Sequence, residues 1–166
     1  MIIIYTDGST LKNGAKDAEG GFGVVICRGE PNQSPNEYEI IDAYAERATG
    51  TTNNRMELSA ILWAIEHYGA RPGDFFAPIV YSDSMYCINS FTNWIKNWKA
   101  NGWVRPKNKP LENKDLMKKY DDMVSNNGIR IDLRYVKGHA GERGNELADA
   151  LATGRLTPEQ VMSGDY

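Results

Sequence analysis

The chain opens on a β-branched apolar run, Ile2-Ile3-Ile4-Tyr5, which reads as a buried strand over residues 1–6. After a glycine-rich turn, Gly23-Val24-Val25-Ile26-Cys27 continues a second strand over 20–27. Residues 37–47 alternate in part and predict a third. Gly-, Asn- and Pro-rich connections between these strands favour antiparallel neighbours. The period then changes. Met56, Ala60, Ile61, Ala64, Ile65 and Tyr68 recur at helical spacing and predict a helix over 54–68, with Asn53 or Asn54 as its cap and Gly69 as its stop. A fourth strand follows at 78–82 and a helix at 84–91. Residues 94–110 read as irregular or helical, broken by Pro106 and Pro110. A helix over 113–124, a strand over 129–136 and a helix over 145–152 complete the pattern. Thr157-Pro158-Glu159-Gln160 reads as a capping box for a last turn. The order β-β-β-α-β-α-α-β-α predicts an α/β fold: a meander followed by crossovers, giving a mixed five-stranded sheet with helices on its faces.

Bulk properties narrow the class. With 166 residues, one domain over 1–166 is expected, and 41% hydrophobic and 25% charged residues suit a globular chain. No apolar run reaches the roughly 18 residues of a membrane span, and residues 1–5 lack the length and basic flank of a signal peptide. Cys27 and Cys87 have neither disulfide-scaffold nor zinc spacing, so they read as buried thiols in a reducing compartment. A cytoplasmic monomer is the expectation.

The net charge of −3 conceals a strong local imbalance. Residues 94–119 hold eight basic residues against two acidic ones, a local +6, so the rest of the chain carries −9. A basic segment of that kind suits a phosphate backbone more than the total suggests. Trp94, Trp98 and Trp103 interleave with Lys96, Lys99, Arg105, Lys107 and Lys109. Aromatic planes among cations suit a nucleic-acid track. At these spacings one or two of the tryptophans are expected to pack inward.

Four acids stand in separate contexts that each present a carboxylate: Asp7 after the first strand, Glu57 one turn into the first helix, Asp83 after the fourth strand, and Asp149 on the late helix. If the first and fourth strands lie parallel and adjacent, their carboxyl ends coincide, the usual place for a ligand in such sheets. Four converging carboxylates repel one another unless divalent cations neutralise them. Hard oxygen donors suit Mg2+ or Mn2+, and two such ions about 3.5–4 Å apart clamp a phosphodiester for hydrolysis. His139, in the glycine-rich loop Lys137-Gly138-His139-Ala140-Gly141, can shuttle a proton beside such a centre. His67 reads as a surface residue. Asn13, Thr51, Thr52, Asn53, Asn54 and Asn97 are short polar groups suited to phosphates and base edges, or equally to caps and turns.

Tyr5-Thr6-Asp7-Gly8-Ser9, residues 51–58 (Thr-Thr-Asn-Asn-Arg-Met-Glu-Leu), Ser82-Asp83-Ser84, residues 92–99, and Val136 to Gly141 with Asn145, Glu146 and Asp149 strongly resemble type 1 ribonuclease H of the bacterial kind. The resemblance runs from about residue 2 to 153 and implies the ribonuclease H fold with sheet order 3-2-1-4-5. It implies endonucleolytic cleavage of the RNA strand of an RNA–DNA hybrid, leaving 5′-phosphate and 3′-hydroxyl ends. Asp7, Glu57, Asp83 and Asp149 would hold two Mg2+ ions, one generating the attacking hydroxide and one stabilising the leaving oxygen, and His139 would assist turnover. Recognition of RNA would run through 2′-hydroxyls in the minor groove. The DNA strand would lie on Asn13, Thr52, Asn53, Asn54, Trp94, Trp98, Asn97 and Asn113, with residues 94–112 as a basic substrate handle. No separate N-terminal hybrid-binding module is expected.

Two positions depart from the pattern. Gly50 stands where an arginine often completes the DNA-phosphate pocket, with Arg47 as a candidate substitute, and Met85 replaces a frequent glutamine. The segment 31–36 and the tail after residue 154 carry no assigned role. Two rival readings differ in class. Asp7-Gly8-Ser9-Thr10 resembles the phosphate loop of actin-like sugar kinases, which need a second domain to close over ATP. A non-catalytic hybrid-binding module of the same fold would normally have lost one of the four acids.

Overall fold

The computed structural model describes residues 1–13 and 15–166. Its main sheet has five strands: β1 (Ile2–Thr10), β2 (Glu19–Arg28), β3 (Glu39–Thr49), β4 (Ile79–Ser82) and, after two short strands, β7 (Asp132–Tyr135). Their order is β3-β2-β1-β4-β7, which is the expected 3-2-1-4-5 once the short strands are set aside. β1, β2 and β3 pair antiparallel, whereas β1, β4 and β7 run parallel. The C-terminal ends of β1 and β4 therefore share one edge.

Alternation along the strands supplies both faces. Ile4, Val24, Ile26 and Val80 pack with Met56, Ala60 and Ala64 of α1 (Asn53–Tyr68). Ile3, Tyr5, Val25 and Cys27 point the other way, onto Leu147, Ala148 and Leu151 of α5 (Arg143–Ala152). Helices thus cover both faces, as expected. α1 is buried beyond the one stripe read from its sequence: Leu58 and Leu62 are buried as well, and with Ile61 and Ile65 they face a second layer containing Cys87, Phe91, Ile95 and Met117. α1 is accordingly a central helix, held between the sheet and α2 (Met85–Asn89), α3 (Ile95–Ala100) and α4 (Lys114–Asp121). α6 (Pro158–Ser163) packs by β3 and opens with the expected capping box at Thr157 and Gln160.

Several boundaries differ from the sequence reading. β1 runs on to Thr10 because its last residues still pair with Gly20 to Gly23. α2 and α3 are joined by a π-helical stretch, Ser90–Trp94, into one run across residues 85–100. The segment read as irregular or helical holds α3 and then a hairpin of β5 (Val104–Arg105) and β6 (Lys109–Pro110). Lys107 and Asn108, at φ 63° and 56°, turn the chain back between Pro106 and Pro110. The fifth main strand is shorter than expected because Arg130 leaves it to bridge Ala70. No helix is long and apolar enough to cross a membrane among the described residues.

Candidate active site and nucleic-acid interface

Asp7 follows Tyr5 by two residues on β1, and Asp83 follows Tyr81 by two beyond β4. Tyr5 and Tyr81 are paired in register. The Thr6 hydroxyl donates to the Tyr81 carbonyl at 2.9 Å, tying the two strand ends together. Glu57 arrives from one turn into α1, whose cap is Thr52: the Thr52 hydroxyl accepts from the Arg55 N–H at 3.2 Å. Helix and strand touch at Gly8. A Cβ there would stand 2.3 Å from Glu57 N and 2.4 Å from Met56 C, so only glycine admits α1 this close to Asp7. The Gly8 N–H also donates to Asp7 Oδ1 at 2.9 Å and orients that carboxylate.

The outcome is a set of three carboxylates, Asp7, Glu57 and Asp83, with ligating oxygens all within 4.8 Å of one another. Asp7 is only 5% exposed. Burial is the main force pushing its carboxyl up to about 7; a side-chain hydrogen bond with Glu57 and the Gly8 N–H offset part, while repulsion from Asp83 and Asp149 adds. Glu57 is driven well above the ordinary carboxylate range by burial first and by Asp7 next. Asp83 is raised by burial, then by Asp149, while His139 pulls it down. No lysine or arginine pairs with these three among the described residues, and Glu57 Oε2 is buried without a hydrogen-bond partner. A buried oxygen without a partner, beside two other carboxylates, is a donor set of the kind that suits a hard divalent cation.

Asp149 stands beside this group rather than within it. Its charge reaches Asp7 and Asp83, but its Oδ2 is held by Arg155 at 2.6 Å. His139 is exposed, in left-handed backbone at φ 55°, on the loop that passes Asp83.

The expected substrate residues fall into two groups. Asn13, Thr52, Asn53, Asn54 and Asn113 line one cleft of about 420 Å³, together with Glu112. Within it, Asn53 Oδ1 accepts from the Thr10 N–H at 2.8 Å and from the Thr10 hydroxyl at 2.6 Å, and the Asn53 N–H donates to Asn13 Oδ1 at 2.9 Å. These side chains lock the end of β1 to the start of α1. The Asn54 side chain has no such bond among the described residues. Trp94 and Trp98 form the second group, with ring centroids 6.0 Å apart, edge to face. Trp98 and Trp103 pack against the core, whereas Trp94 is 41% exposed. Asn97 is exposed on the same helix. Gly50 sits at φ +62°, a conformation that disfavours the arginine expected there. Arg47 does not replace it: its guanidinium donates to the Ala152 carbonyl at 2.5 Å, away from the cleft.

The profile of the RNase H family matches residues 1–156. The chain belongs to the ribonuclease H family. It is similar to the ribonuclease H of Paracidovorax citrulli, with 43% identity over 154 residues that cover 92% of this chain and 91% of that protein. Among solved structures it is similar to LC9-RNase H1, a type 1 RNase H with the type 2 active-site motif, at a TM-score of 0.71 and 32% identity. That match covers 92% of this chain and 70% of the other. It is also similar to the RNase H domain of prototype foamy virus, at a TM-score of 0.70 and 27% identity, covering 92% of both. Other residues near the site carry no mark in the sequence. Arg55 grips Asp115 through two hydrogen bonds of 3.0 and 2.8 Å and touches Asn113 Oδ1 at 3.3 Å. The Asn113 amide in turn donates to the Tyr86 hydroxyl at 3.0 Å, and the Tyr86 ring lies 6.2 Å from Trp94. Asn113, Tyr86, Trp94 and Trp98 thus form one surface from cleft to handle. The spacing of Arg55 and Asp115 carried no signal of this, since 60 positions separate them.

Proposed function

We propose that this chain is an endoribonuclease that hydrolyses the RNA strand of RNA–DNA hybrids with two divalent metal ions, Mg2+ or Mn2+, leaving 5′-phosphate and 3′-hydroxyl ends. The observation that carries the metal reading is the orphaned Glu57 Oε2 inside a partly buried group of three carboxylates that no basic side chain neutralises among the described residues. Asp7, Glu57 and Asp83 would hold the metal, with Asp149 joining them on release from Arg155. When bound, such ions neutralise developing charge and generate a nucleophile from water at neutral pH.

The chain's own residues do the rest. Gly8 and the β1–β4 register hold Asp7, Glu57 and Asp83 in place before substrate arrives, so no reorganisation is needed at the moment of reaction. His139, exposed beside Asp83, accepts or returns a proton at the leaving oxygen and speeds product departure. The asparagine cleft takes a DNA phosphate. No cation is among its lining residues, so amide N–H groups of Asn13, Asn54 and Asn113 would be the donors there. Trp94 offers an open ring for a sugar or base, and the handle lysines supply phosphate contacts. One chain, residues 1–166, carries both catalysis and grip, with residues 94–112 as the handle.

The test uses an end-labelled RNA–DNA hybrid beside double-stranded RNA, double-stranded DNA and single-stranded RNA, with and without Mg2+. Metal-dependent cutting of the hybrid's RNA strand alone is expected, with 3′-hydroxyl ends that a polymerase extends. Hybrid binding without cutting in Mg2+ or Mn2+ would move the reading to a non-catalytic binding module.

A further inference from the structure

The connection between β2 and β3 is a folded turn. Gln33 staples it: its Oε1 accepts from the Glu30 N–H at 3.1 Å, and its Nε2 donates to the Glu37 carbonyl at 3.0 Å. Pro35 then opens a 3-10 turn, Pro35–Glu37, with its φ already set for that geometry. The turn presents Asn36 to the loop that precedes α5.

α5 begins at Arg143 with Glu142 in the cap position, and the Glu142 side chain makes no capping hydrogen bond. Its Oε2 is buried instead. The first N–H groups of a helix have no partner within the helix, so an acceptor must come from elsewhere. The Arg143 N–H donates to Asn36 Oδ1 at 2.9 Å. Asparagine is among the preferred N-cap acceptors, and here it comes from 107 positions away. The same amide donates through Nδ2 to the Gly141 carbonyl at 3.4 Å. The Arg143 guanidinium closes the joint by donating to the Tyr38 carbonyl at 2.5 Å. The turn is therefore fastened to the loop on both sides of the helix start.

His139 stands two residues before Gly141. Its left-handed backbone is costly for a residue with a side chain, and persists where the surroundings over-determine it. We propose that Asn36 is a positioning residue: a helix cap supplied in trans that fixes where the 138–142 loop ends, and with it where His139 stands beside Asp83. The inference rests on the reading of His139 as the proton-transfer group.

The experiment measures kcat and KM on an RNA–DNA hybrid with Mg2+ for the wild-type chain, Asn36→Ala, His139→Ala and the double variant. His139→Ala is expected to lower kcat by about tenfold or more. Asn36→Ala is expected to lower kcat by roughly three- to tenfold with little change in KM, the scale of a small misplacement of a proton-transfer group. In the His139→Ala background the same change should alter kcat by less than about twofold, because nothing remains to position. Asn36→Asp keeps the acceptor for the Arg143 N–H and should recover most of the lost kcat. An equal fold loss with and without His139 would assign Asn36 to general stability and overturn the proposal. A slow His139→Ala beside a normal Asn36→Ala would overturn the positioning role alone. A normal His139→Ala would overturn the reading of His139, and the positioning role with it.

Discussion

The carboxylate group and the basic handle treat charge in opposite ways. Asp7, Glu57 and Asp83 are packed together, poorly solvated and unneutralised by any basic side chain among the described residues. The handle's Lys96, Lys107 and Lys109 are exposed, spread along a helix and a two-stranded hairpin, and have no acidic partner among those residues. The first arrangement stores electrostatic repulsion in a rigid frame, so its geometry is settled before a ligand arrives. The second keeps its charges hydrated and movable, so it can follow a backbone of variable path. On the proposed function, precision would sit where burial is greatest and grip where burial is least. The net charge of −3 is the sum of the basic excess over residues 94–119 and an acidic excess spread over the rest of the chain, of which these three carboxylates are a part.

The largest break in this comparison is expected from Asp7→Asn. Cleavage of hybrid should fall to background while hybrid affinity persists, measured by gel assay and by fluorescence anisotropy. Full activity in that variant would remove Asp7 from the metal site. Next comes the pH dependence of stability without metal. A carboxyl raised in the folded state binds its proton more tightly there than in the unfolded chain. The stability it contributes is complete below about pH 4 and is lost as the pH rises toward about 7, the folded value of Asp7. Thermal unfolding in a chelator should therefore show stability declining across that window, by an amount on the order of a few kcal/mol. Asp7→Asn should flatten the decline, and Mg2+ should restore the wild-type chain at pH 8. A flat wild-type profile would mean that the three carboxylates do not repel as placed.

Smaller effects are expected in the handle. Lys96→Ala with Lys107→Ala should raise KM and reduce the salt slope of hybrid binding by about one for each phosphate left unneutralised, with kcat nearly unchanged. Lys99→Ala should do less, because Asp121 already pairs with it at 3.0 Å. Trp94→Ala should weaken binding with little loss of thermal stability, whereas Trp98→Ala should cost stability, since Trp98 packs on the core. Equal stability losses in the two would remove the distinction between an open ring and a packed one.

Legibility in the sequence followed the same divide. Asp7 and Asp83 were readable because each follows an apolar strand run, although β1 continues past Asp7 to Thr10; the parallel pairing that brings them together entered the sequence reading only as a condition and through the family resemblance. Glu57 was readable from its place one turn past a capping residue. The handle was readable as composition, but not its hairpin, because left-handed residues such as Lys107 and Asn108 leave no mark in hydrophobic periodicity. Thr52 and Asn53 were read both as substrate contacts and as caps or turn formers; the cap of α1 is Thr52 rather than Asn53 or Asn54, and the Asn53 side chain is held by Thr10. Contacts that join distant segments were invisible: Arg55 on Asp115, Asn36 on Arg143. Each depends on a fold that brings polar side chains together without any local period.

The pairing of Tyr5 with Tyr81 has one further implication. Asp7 and Asp83 each lie two residues beyond that pair, so their spacing derives from adjacent strands about 4.8 Å apart. Peptide geometry sets that interval, and no side-chain substitution elsewhere alters it without slipping the register of the whole sheet. The backbone ladder acts as a fixed gauge for the chemistry at its end. A parallel strand pair of unrelated sequence, given aspartates at the same two offsets and a glycine against the incoming helix, would inherit that gauge ready-made.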